Sequence, residues 1–444
     1  MKKLTIAIIL LVILTATLCT FSGCSLIAKA QGKTYVSYVQ ASAYTVGTME
    51  NEIIPDDILI NWYGGSVNIT QYDGDKIIFV EKSNQEVEDK LKLHWAYWDS
   101  SEYGKYYQIQ YCAKGMYDLK TLRKDLYVLL PSNVVTYNKL SVTARGECSI
   151  NIYLPEVSFV GYCNGHPNVH LDAEWGNINA TFKDIDSFRM IGDADKVANQ
   201  YYRKLTAQTV DQIDCVASYN KFIFFVNEVK SYATINTFSG DVYFQCQENI
   251  RKLTIDADLG TKYVTTKNFN KLDFTSKTGI IGVEMHYKQT FQVTMSNYTK
   301  NGTNLAYKEP QFMGRVAYVP DDELQPGDPD DLQDVVHNGD TWIVRKGTKY
   351  EVKVSSGADT YFGTWQSLSS TMADTGILEN IYDEIVIEIP EEYRSQDPQQ
   401  NNSNNSNEDP NGDPNNNGQQ NNNQNWISSH TSYACWLNGA NMIT

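Results

Sequence analysis

The sequence predicts an all-β fold: a β-solenoid of rungs about 17–19 residues long with an N-terminal hairpin cap, with a rolled β-sandwich as the alternative. Three observations predict it. Segments that alternate apolar and polar residues recur between Leu122 and Met295, they return at steps of 17 and 19 residues, and glycine-centred turns separate them. This period is too short for helical repeats and suits stacked strands. The segments are KLSV at 139, SFRM at 187, KLTA at 204, KFIF at 221, KLTI at 252, KLDF at 271 and TFQV at 290.

The second residue of these segments is predicted to occupy one common rung position. Because side chains alternate between the two faces of a strand, a shared position directs each of them to the same face. We therefore expect burial at all of these positions, and five residues carry the prediction: Phe188, Leu205, Phe222, Leu253 and Leu272.

Several stretches resemble a known family. ILINWYGGSVNITQYDGDKIIFVEK at 58–82, LYVLLPSNVV at 126–135 and INTFSGDVYF at 235–244 are similar to the adhesin-like, β-strand-repeat domain of unknown function found in bacterial envelope proteins and lipoproteins. The resemblance covers roughly residues 58–295. It implies that YEVKVSSGADTYFG at 350–363 is a late rung, and it supplies no catalytic residues.

The N-terminus has the pattern of a secretory signal. Lys2 and Lys3 precede an apolar run that ends in small residues at about Cys19. Phe21-Ser22-Gly23-Cys24 resembles the lipobox of bacterial lipoproteins, with Phe21 where an aliphatic residue is usual. The resemblance implies cleavage after residue 23 and lipidation of Cys24, which anchors the chain in the cell membrane, facing outside the cytoplasm. Secretion with a free Cys24 thiol and an uncleaved helical anchor are the alternatives.

Charge excludes one class of partner. The formal charge is −16, and loss of residues 1–23 removes two lysines and no acidic residue, which gives −18. Nucleic-acid binding needs clustered Lys and Arg, so we expect no nucleic-acid partner. Anionic headgroups would not attract this surface either, so the lipid must provide the membrane attachment.

The composition divides the rest of the chain. Segments rich in Tyr and Trp precede the rungs and are predicted to cap the first open edge. A stretch with seven acidic residues and three prolines follows the rungs at 320–334. The predicted parts are a tether with first strands at 24–57, the β-strand-repeat domain at 58–319, an acidic loop at 320–338, a further β segment at 339–394, an Asn/Gln-rich disordered spacer at 395–425 and an apolar tail at 426–444.

Six cysteines follow Cys24, an even number that is compatible with disulfides outside the cytoplasm: Cys112, Cys148, Cys163, Cys215, Cys246 and Cys435. The alternation of the strands instead predicts that Cys148 and Cys246 point into the core with the aliphatic residues. A bridge between Cys215 and Cys246 is the alternative. The spacings do not suit a metal site, and we expect no metal and no cofactor.

Aromatic residues concentrate in HWAYWDSSEYGKYYQIQY at 94–111. Exposed aromatic rings suit sugars or a protein partner, whereas cross-strand aromatic pairs can equally cover the end of a solenoid. The candidate binding surface consists of Trp95, Tyr97, Trp98, Tyr103, Tyr106 and Tyr107.

Acidic pairs two residues apart are the candidate catalytic groups, because parallel β-helices can host polysaccharide-cleaving enzymes. Asp256 with Asp258 is the leading pair, and both are predicted to face solvent. Solvated strand faces explain such pairs equally well, and calcium is a third interpretation. The same spacing recurs at Asp172 with Glu174 and at Asp184 with Asp186, while His166 and His170 are assigned to a loop and a strand.

The sequence lacks the common catalytic and phosphate-binding motifs. The leading hypothesis is therefore a non-catalytic, lipid-anchored envelope protein that presents a β-solenoid surface to an envelope protein or glycan. A polysaccharide lyase or hydrolase that uses Asp256 and Asp258 is one alternative. An envelope-stress sensor or regulatory partner is another.

Overall fold

The computed structural model describes residues 28, 31–36, 44–100, 104–163, 165–192, 199–275, 280–285, 291–295, 311–316, 336–338, 341–343, 350–354, 359–361 and 385–394. The chain separates into two compact units, residues 1–394 and 395–444, and every described residue lies in the first. Cys24, Tyr103, Cys435 and residues 317–335 lie outside the described ranges, as do the predicted spacer and tail.

The described part of the chain is all-β, as predicted, and its strands are long in the centre and short at both ends. The strands up to residue 175 are β1 (Thr34–Val36), β2 (Thr45–Val46), β3 (Met49–Asn51), β4 (Asp57–Tyr72), β5 (Ile77–Ser83), β6 (His94–Ser100), β7 (Gly104–Gln110), β8 (Gly115–Tyr117), β9 (Lys124–Pro131), β10 (Thr136–Tyr137), β11 (Lys139–Leu154), β12 (Ser158–Phe159) and β13 (Val169–Trp175).

The remaining strands are β14 (Ile178–Gly192), β15 (Tyr202–Ala217), β16 (Lys221–Ser239), β17 (Val242–Leu259), β18 (Lys262–Thr275), β19 (Ile280–Met285), β20 (Phe291–Met295), β21 (Gln311–Val316), β22 (Val336–Asn338), β23 (Thr341–Ile343), β24 (Tyr350–Val354) and β25 (Asp359–Tyr361). Two single 3-10 turns, Asp89–Leu91 and Glu391–Tyr393, complete the described elements.

The central strands pair in parallel, and each long strand contributes to more than one row of pairing. Ladder one joins Ile58, Leu140, Val169, Phe188, Ile213, Ala233, Leu253 and Leu272 in register. Ladder two joins Val67, Ile150, Ile178, Arg203, Phe222, Val242 and Lys262. Ladder three joins Tyr137, Phe159, Ile185, Val210, Val229, Ile250 and Phe269.

The inward side chains of the three ladders form one continuous hydrophobic core. Burial confirms the prediction for Phe188, Leu205, Phe222, Leu253 and Leu272, each of which is at most 1% exposed. Their assignment to one rung position is wrong. Ladder one contains the first and the last two, whereas Leu205 and Phe222 lie in ladder two, where they pair with Phe224 and Arg203. The 17-residue step from 187 to 204 joins two segments of similar sequence that pair in different ladders, the first in ladder one and the second in ladder two.

The N-terminal strands extend ladders one and two by parallel pairing, and the strands beyond them pair antiparallel. β7 and β9 pair in parallel with β4, after which β6 pairs antiparallel with β7 and β5 with β9. The outermost strands, β2 and β3, pair with β6 and β5 and contain two and three residues. Such short edges leave little backbone exposed for pairing with another chain.

The late strands correct the predicted order of rungs. The 19-residue step predicts Phe291–Met295 beside Lys271–Thr275, but β24 lies between them and pairs in parallel with both. Residues 350–363 do contribute late strands, since β24 joins β18 and β25 joins β21. The end of the predicted β segment at 339–394 is also different, because residues 385–390 form no ladder. A local period carries no information about a strand inserted from elsewhere in the chain.

Gly65 lies where β4 bends from ladder one into ladder two, and we predict that Gly65→Ala strongly destabilises the protein. Its φ of +85° disfavours any side chain, and a Cβ would overlap the backbone of Lys124 on the neighbouring strand. Gly146, with φ of +64°, lies at the same bend in β11 and has nothing within 4 Å of a built Cβ. Gly146→Ala is the matched control for backbone strain, and equal urea midpoints for the two variants would contradict the prediction.

Candidate interaction face

The outer side of ladder one is accessible to solvent along its whole described length. Its outward side chains, here called the open face, alternate with buried inward ones and are all partly or fully exposed. They are Ser141, Thr143, His170, Asp172, Arg189, Ile191, Asp214, Val216, Thr234, Asn236, Thr254, Asp256, Asp273 and Thr275. Because the strands are in register, these residues form two rows that cross the strands. Within each row, neighbouring residues are one strand spacing apart.

The open face combines polar, charged and apolar groups. The Arg189 and Asp214 side chains, on paired strands, lie 3.8 Å apart, and Arg145 at the edge contacts Asp172 at 2.7 Å. Burial is the main cause that lowers the pKa of His170, so its imidazole is mostly neutral at pH 7. Val216 is 41% exposed, which leaves apolar surface within one of the two rows. Such a mixture suits contact with a partner surface rather than burial against the chain itself.

The outward side of ladder two differs sharply, because its central row is buried. Ile223, Tyr243 and Tyr263 on successive strands are at most 5% exposed, and the two tyrosine rings are 5.4 Å apart. Lys204 and Asn179 continue the row and are also buried. Of these two ladders, ladder one is therefore the one whose outward side is open to a partner.

The predicted aromatic surface forms the antiparallel hairpin β6–β7. Tyr97 faces Tyr107 and Trp98 faces Tyr106 across the hairpin, with ring centroids 5.2 and 6.2 Å apart. Tyr107 is fully buried against Phe79, so its ring belongs to the core. These contacts are those expected of cross-strand pairs that cover the core.

Burial limits what the aromatic cluster can offer a ligand. Tyr106 is 8% exposed, and Trp95 and Tyr97 pack against the core, although both are partly accessible. The binding role remains a prediction for Trp95, Tyr97 and Trp98, whereas Tyr107 presents no surface. Tyr103 lies outside the described residues.

The three acidic pairs differ in their exposure and in the hydrogen bonds that they accept. Asp256 is exposed on the open face and Asp258 is partly exposed, with Ile255 and Ala257 buried between and beside them, as the alternation predicted. The other pairs accept hydrogen bonds from neighbouring strands and turns. Arg145 and the Gly146 amide donate to Asp172 and Glu174, and Ser158 and the Gly161 amide donate to Asp184 and Asp186.

No group of three or more His, Cys, Asp or Glu side chains that could hold a metal occurs among the described residues. His166 lies in an exposed loop and His170 on ladder one, so the two are not brought together as a pair of ligands.

None of the five described cysteines forms a disulfide with another described cysteine, and four of them are buried. Cys148 and Cys246 point into the core, as predicted. The alternative bridge is wrong, because Cys215 pairs with residues of ladder one and Cys246 with residues of ladder two. Burial raises the pKa of the Cys112 thiol to about 12, so this group is a poor nucleophile at neutral pH.

Three fully buried cations were missed by sequence reasoning: Lys124, Arg203 and Lys262 are 0% exposed. Each lies at the start of the part of a strand that pairs in ladder two. Leu126, Leu205 and Val264 follow two positions later and are also buried, so the three cations are on the inward face of their strands. This alternation is the signal that could have identified them.

Lys124 has a complete set of partners. Its Nζ donates to Glu81 Oε2 at 2.6 Å, to the Leu91 carbonyl at 2.7 Å and to the Tyr111 carbonyl. It also lies 4.1 Å from the Tyr111 ring centroid and 5.0 Å from that of Trp62. Burial is the largest influence on its pKa, which is lowered despite the carboxylate. The cluster ties β9 to β5 and to the segment after β7.

Arg203 and Lys262 satisfy backbone carbonyls inside ladder two. Arg203 donates to the carbonyls of Gly176 and Ala173, and Lys262 Nζ donates to the Gly260 carbonyl at 2.7 Å. Burial lowers the pKa of Arg203 to about 10 and that of Lys262 to about 7. Lys262 is therefore close to half-protonated at neutral pH although it lies in the core.

Comparisons with known proteins give little. No protein-family model and no curated protein matches the chain. Among solved structures, a "putative cell adhesion protein" from Clostridium sporogenes aligns with 71% of this chain and 98% of its own, at 9% identity and a TM-score of 0.15. A match at that score carries no argument about fold or function. No helix in the described part of the chain is long and apolar enough to cross a membrane.

Proposed function

We propose that this chain is a lipid-anchored cell-envelope protein, held in the membrane through Cys24, whose β-solenoid presents the open face to an envelope protein or glycan without catalysing a reaction. The observation that carries the proposal is the open face itself. It runs in register across successive strands, while the corresponding row of ladder two is buried.

The pattern of pairing supports a solenoid over a rolled sandwich. Ala233 pairs with Leu253 and Phe222 with Val242, so equivalent positions recur 20 residues apart in two ladders at once. One circuit of the chain then forms one rung, and each rung contacts its sequence neighbours through parallel pairing. Antiparallel pairing dominates sandwiches, whereas here it is confined to the terminal strands among the described residues.

Deletion of one rung tests the solenoid. Removing residues 222–241 joins Lys221 to Val242, and the remaining strands stay in register because Phe222 and Val242 are ladder partners. We expect this variant to fold with cooperative unfolding and native-like β circular dichroism. Removing only residues 222–231, half of that rung, deletes its ladder-three residue Val229 and brings ladder-one residues such as Ala233 to ladder two, which should prevent folding. Loss of folding in both variants would contradict the solenoid.

Binding through the open face is tested by substitution at its centre. Asn236 is partly exposed between Val216 and Asp256, so Asn236→Arg should weaken capture of the full chain on arrays of wall glycans and purified envelope proteins. Thr209→Arg on the outside of ladder three is the matched control. Equal binding by both variants, or no ligand on any array, would count against the proposal.

The anchor is tested separately. Cys24→Ala should abolish incorporation of labelled fatty acid and release the protein from the membrane fraction, because two acyl chains give a stable attachment that the acidic surface does not replace. Cys112→Ala, at a buried thiol, is the control. Continued labelling of the Cys24 variant would show that the lipid site is elsewhere.

A further inference from the structure

Residues 385–394 form a separate segment, here called the C-terminal strap, that contacts the N-terminal strands. The Tyr393 hydroxyl donates to Glu50 Oε1 at 3.1 Å, which links the strap to β3. The Glu388 carboxylate contributes to the raised pKa of Tyr127 in β9, although burial is the main cause. Arg394 Nε donates to the Ile389 carbonyl at 2.8 Å, so the end of the strap is held by its own turn.

The strap has the side-chain pattern of a strand without its backbone pairing. Ile385, Ile387 and Ile389 are partly buried, whereas Val386 and the side chain of Glu388 are each 83% exposed. This alternation places the backbone amides and carbonyls along the two lateral edges. Among the described residues, no backbone hydrogen bond joins residues 385–390 to a strand. The sequence IVIEI has high β propensity, so the segment is suited to a ladder that none of the described strands supplies.

Charge indicates which strand would fit. Glu388, Glu391 and Glu392 are exposed on the strap, and Arg394 is the cation there. The Arg394 guanidinium lies 4.0 Å from the Glu388 carboxylate with both side chains well exposed, so this ion pair is weak and leaves Glu388 accessible. The whole chain carries a formal charge of −16, so a second copy would be repelled. A segment with basic residues opposite these carboxylates would be attracted.

We propose that the C-terminal strap is a docking edge for an extended, basic segment of a partner protein, which adds to residues 385–389 as a β-strand. Main-chain hydrogen bonds would supply much of the affinity, and a Lys or Arg opposite Glu388 the specificity. The exposed Val386 would pack against an apolar side chain of the same partner segment. This site is separate from the open face and does not depend on its ligand.

Hydrogen exchange of the full-length protein tests the premise. Amides of residues 386–389 should exchange much faster than those of β16, because they lack ladder partners. A synthetic peptide of alternating lysine and valine, about ten residues long, should bind and slow their exchange. Protection of these amides in the free protein equal to that of β16 would overturn the proposal.

Variants then separate backbone pairing from charge. Val386→Pro and Ile387→Pro each remove one amide donor, on opposite edges, and at least one should weaken peptide binding by roughly tenfold or more. Val386→Thr keeps both the donor and β propensity but loses a methyl group, so it should weaken binding far less than the proline variants.

Glu388→Lys should reverse the preference toward a glutamate–valine peptide, whereas Glu228→Lys on ladder three should not. Unchanged affinity in both proline variants would overturn the proposal. So would a dimer in light scattering that these variants dissociate, since a second copy would then be the occupant.

Discussion

Glu81→Gln is expected to lower the free energy of unfolding by about 3 to 5 kcal/mol, because it leaves the Lys124 ammonium buried without its counter-charge. Glu81 Oε2 lies 2.6 Å from Lys124 Nζ, and the lysine side chain is fully buried. Carbonyls and aromatic rings alone compensate a buried cation poorly. Urea unfolding followed by tryptophan fluorescence measures the loss, since Trp62 is part of the cluster.

Two further variants decide whether the buried charge is the cause. Arg123 and Glu147 form an ion pair of similar length, 2.7 Å, with both side chains well exposed, so Glu147→Gln should cost less than about 1 kcal/mol. Replacing both buried partners, as Glu81→Leu with Lys124→Met, should recover most of the stability. A double variant as unstable as Glu81→Gln would show that shape, not charge, governs this site.

Lys262→Met is expected to change how stability depends on pH. Burial lowers the pKa of Lys262 to about 7, partly opposed by Asp241, Asp258 and Asp256, whereas an unfolded lysine titrates at 10.5. Between these values the unfolded chain binds a proton that the folded chain lacks, so this group adds stability as pH rises. The contribution is fully present above pH 10.5 and is lost as pH falls through about 7.

The difference between the two proteins isolates this effect from other titrations. From pH 7 to pH 9, stability of the native protein relative to Lys262→Met should increase by about 2 to 3 kcal/mol, at roughly 1.4 kcal/mol per pH unit. Buried thiols such as Cys246 have raised pKa values and act in the opposite direction, but they are common to both proteins. Lys230→Met, at an exposed position, is the control and should leave the profile unchanged. Parallel profiles for all three proteins would refute the assignment.

The sequence alone determined the fold class and the face of most side chains. Alternation is local, because successive residues of a strand point to opposite sides wherever the strand lies. This is why Leu253, Leu272 and Cys148 were correctly placed in the core, and why Asp256 was correctly placed outside. The open face follows from the same alternation, since its rows are the complement of the buried ones.

Only the tertiary structure decided which strands are neighbours and which outward rows are accessible. Pairing joins residues far apart in the chain: β24 lies between β18 and β20, and Glu81 reaches Lys124 across 43 residues. The burial of Tyr243 and the lack of pairing in the C-terminal strap likewise depend on what lies beside them. The backbone of a single strand decides which face a side chain is on. The fold of the whole chain decides which strand pairs with it, which segment covers it and which charge lies beside it. A local pattern therefore predicts the first and cannot contain the second.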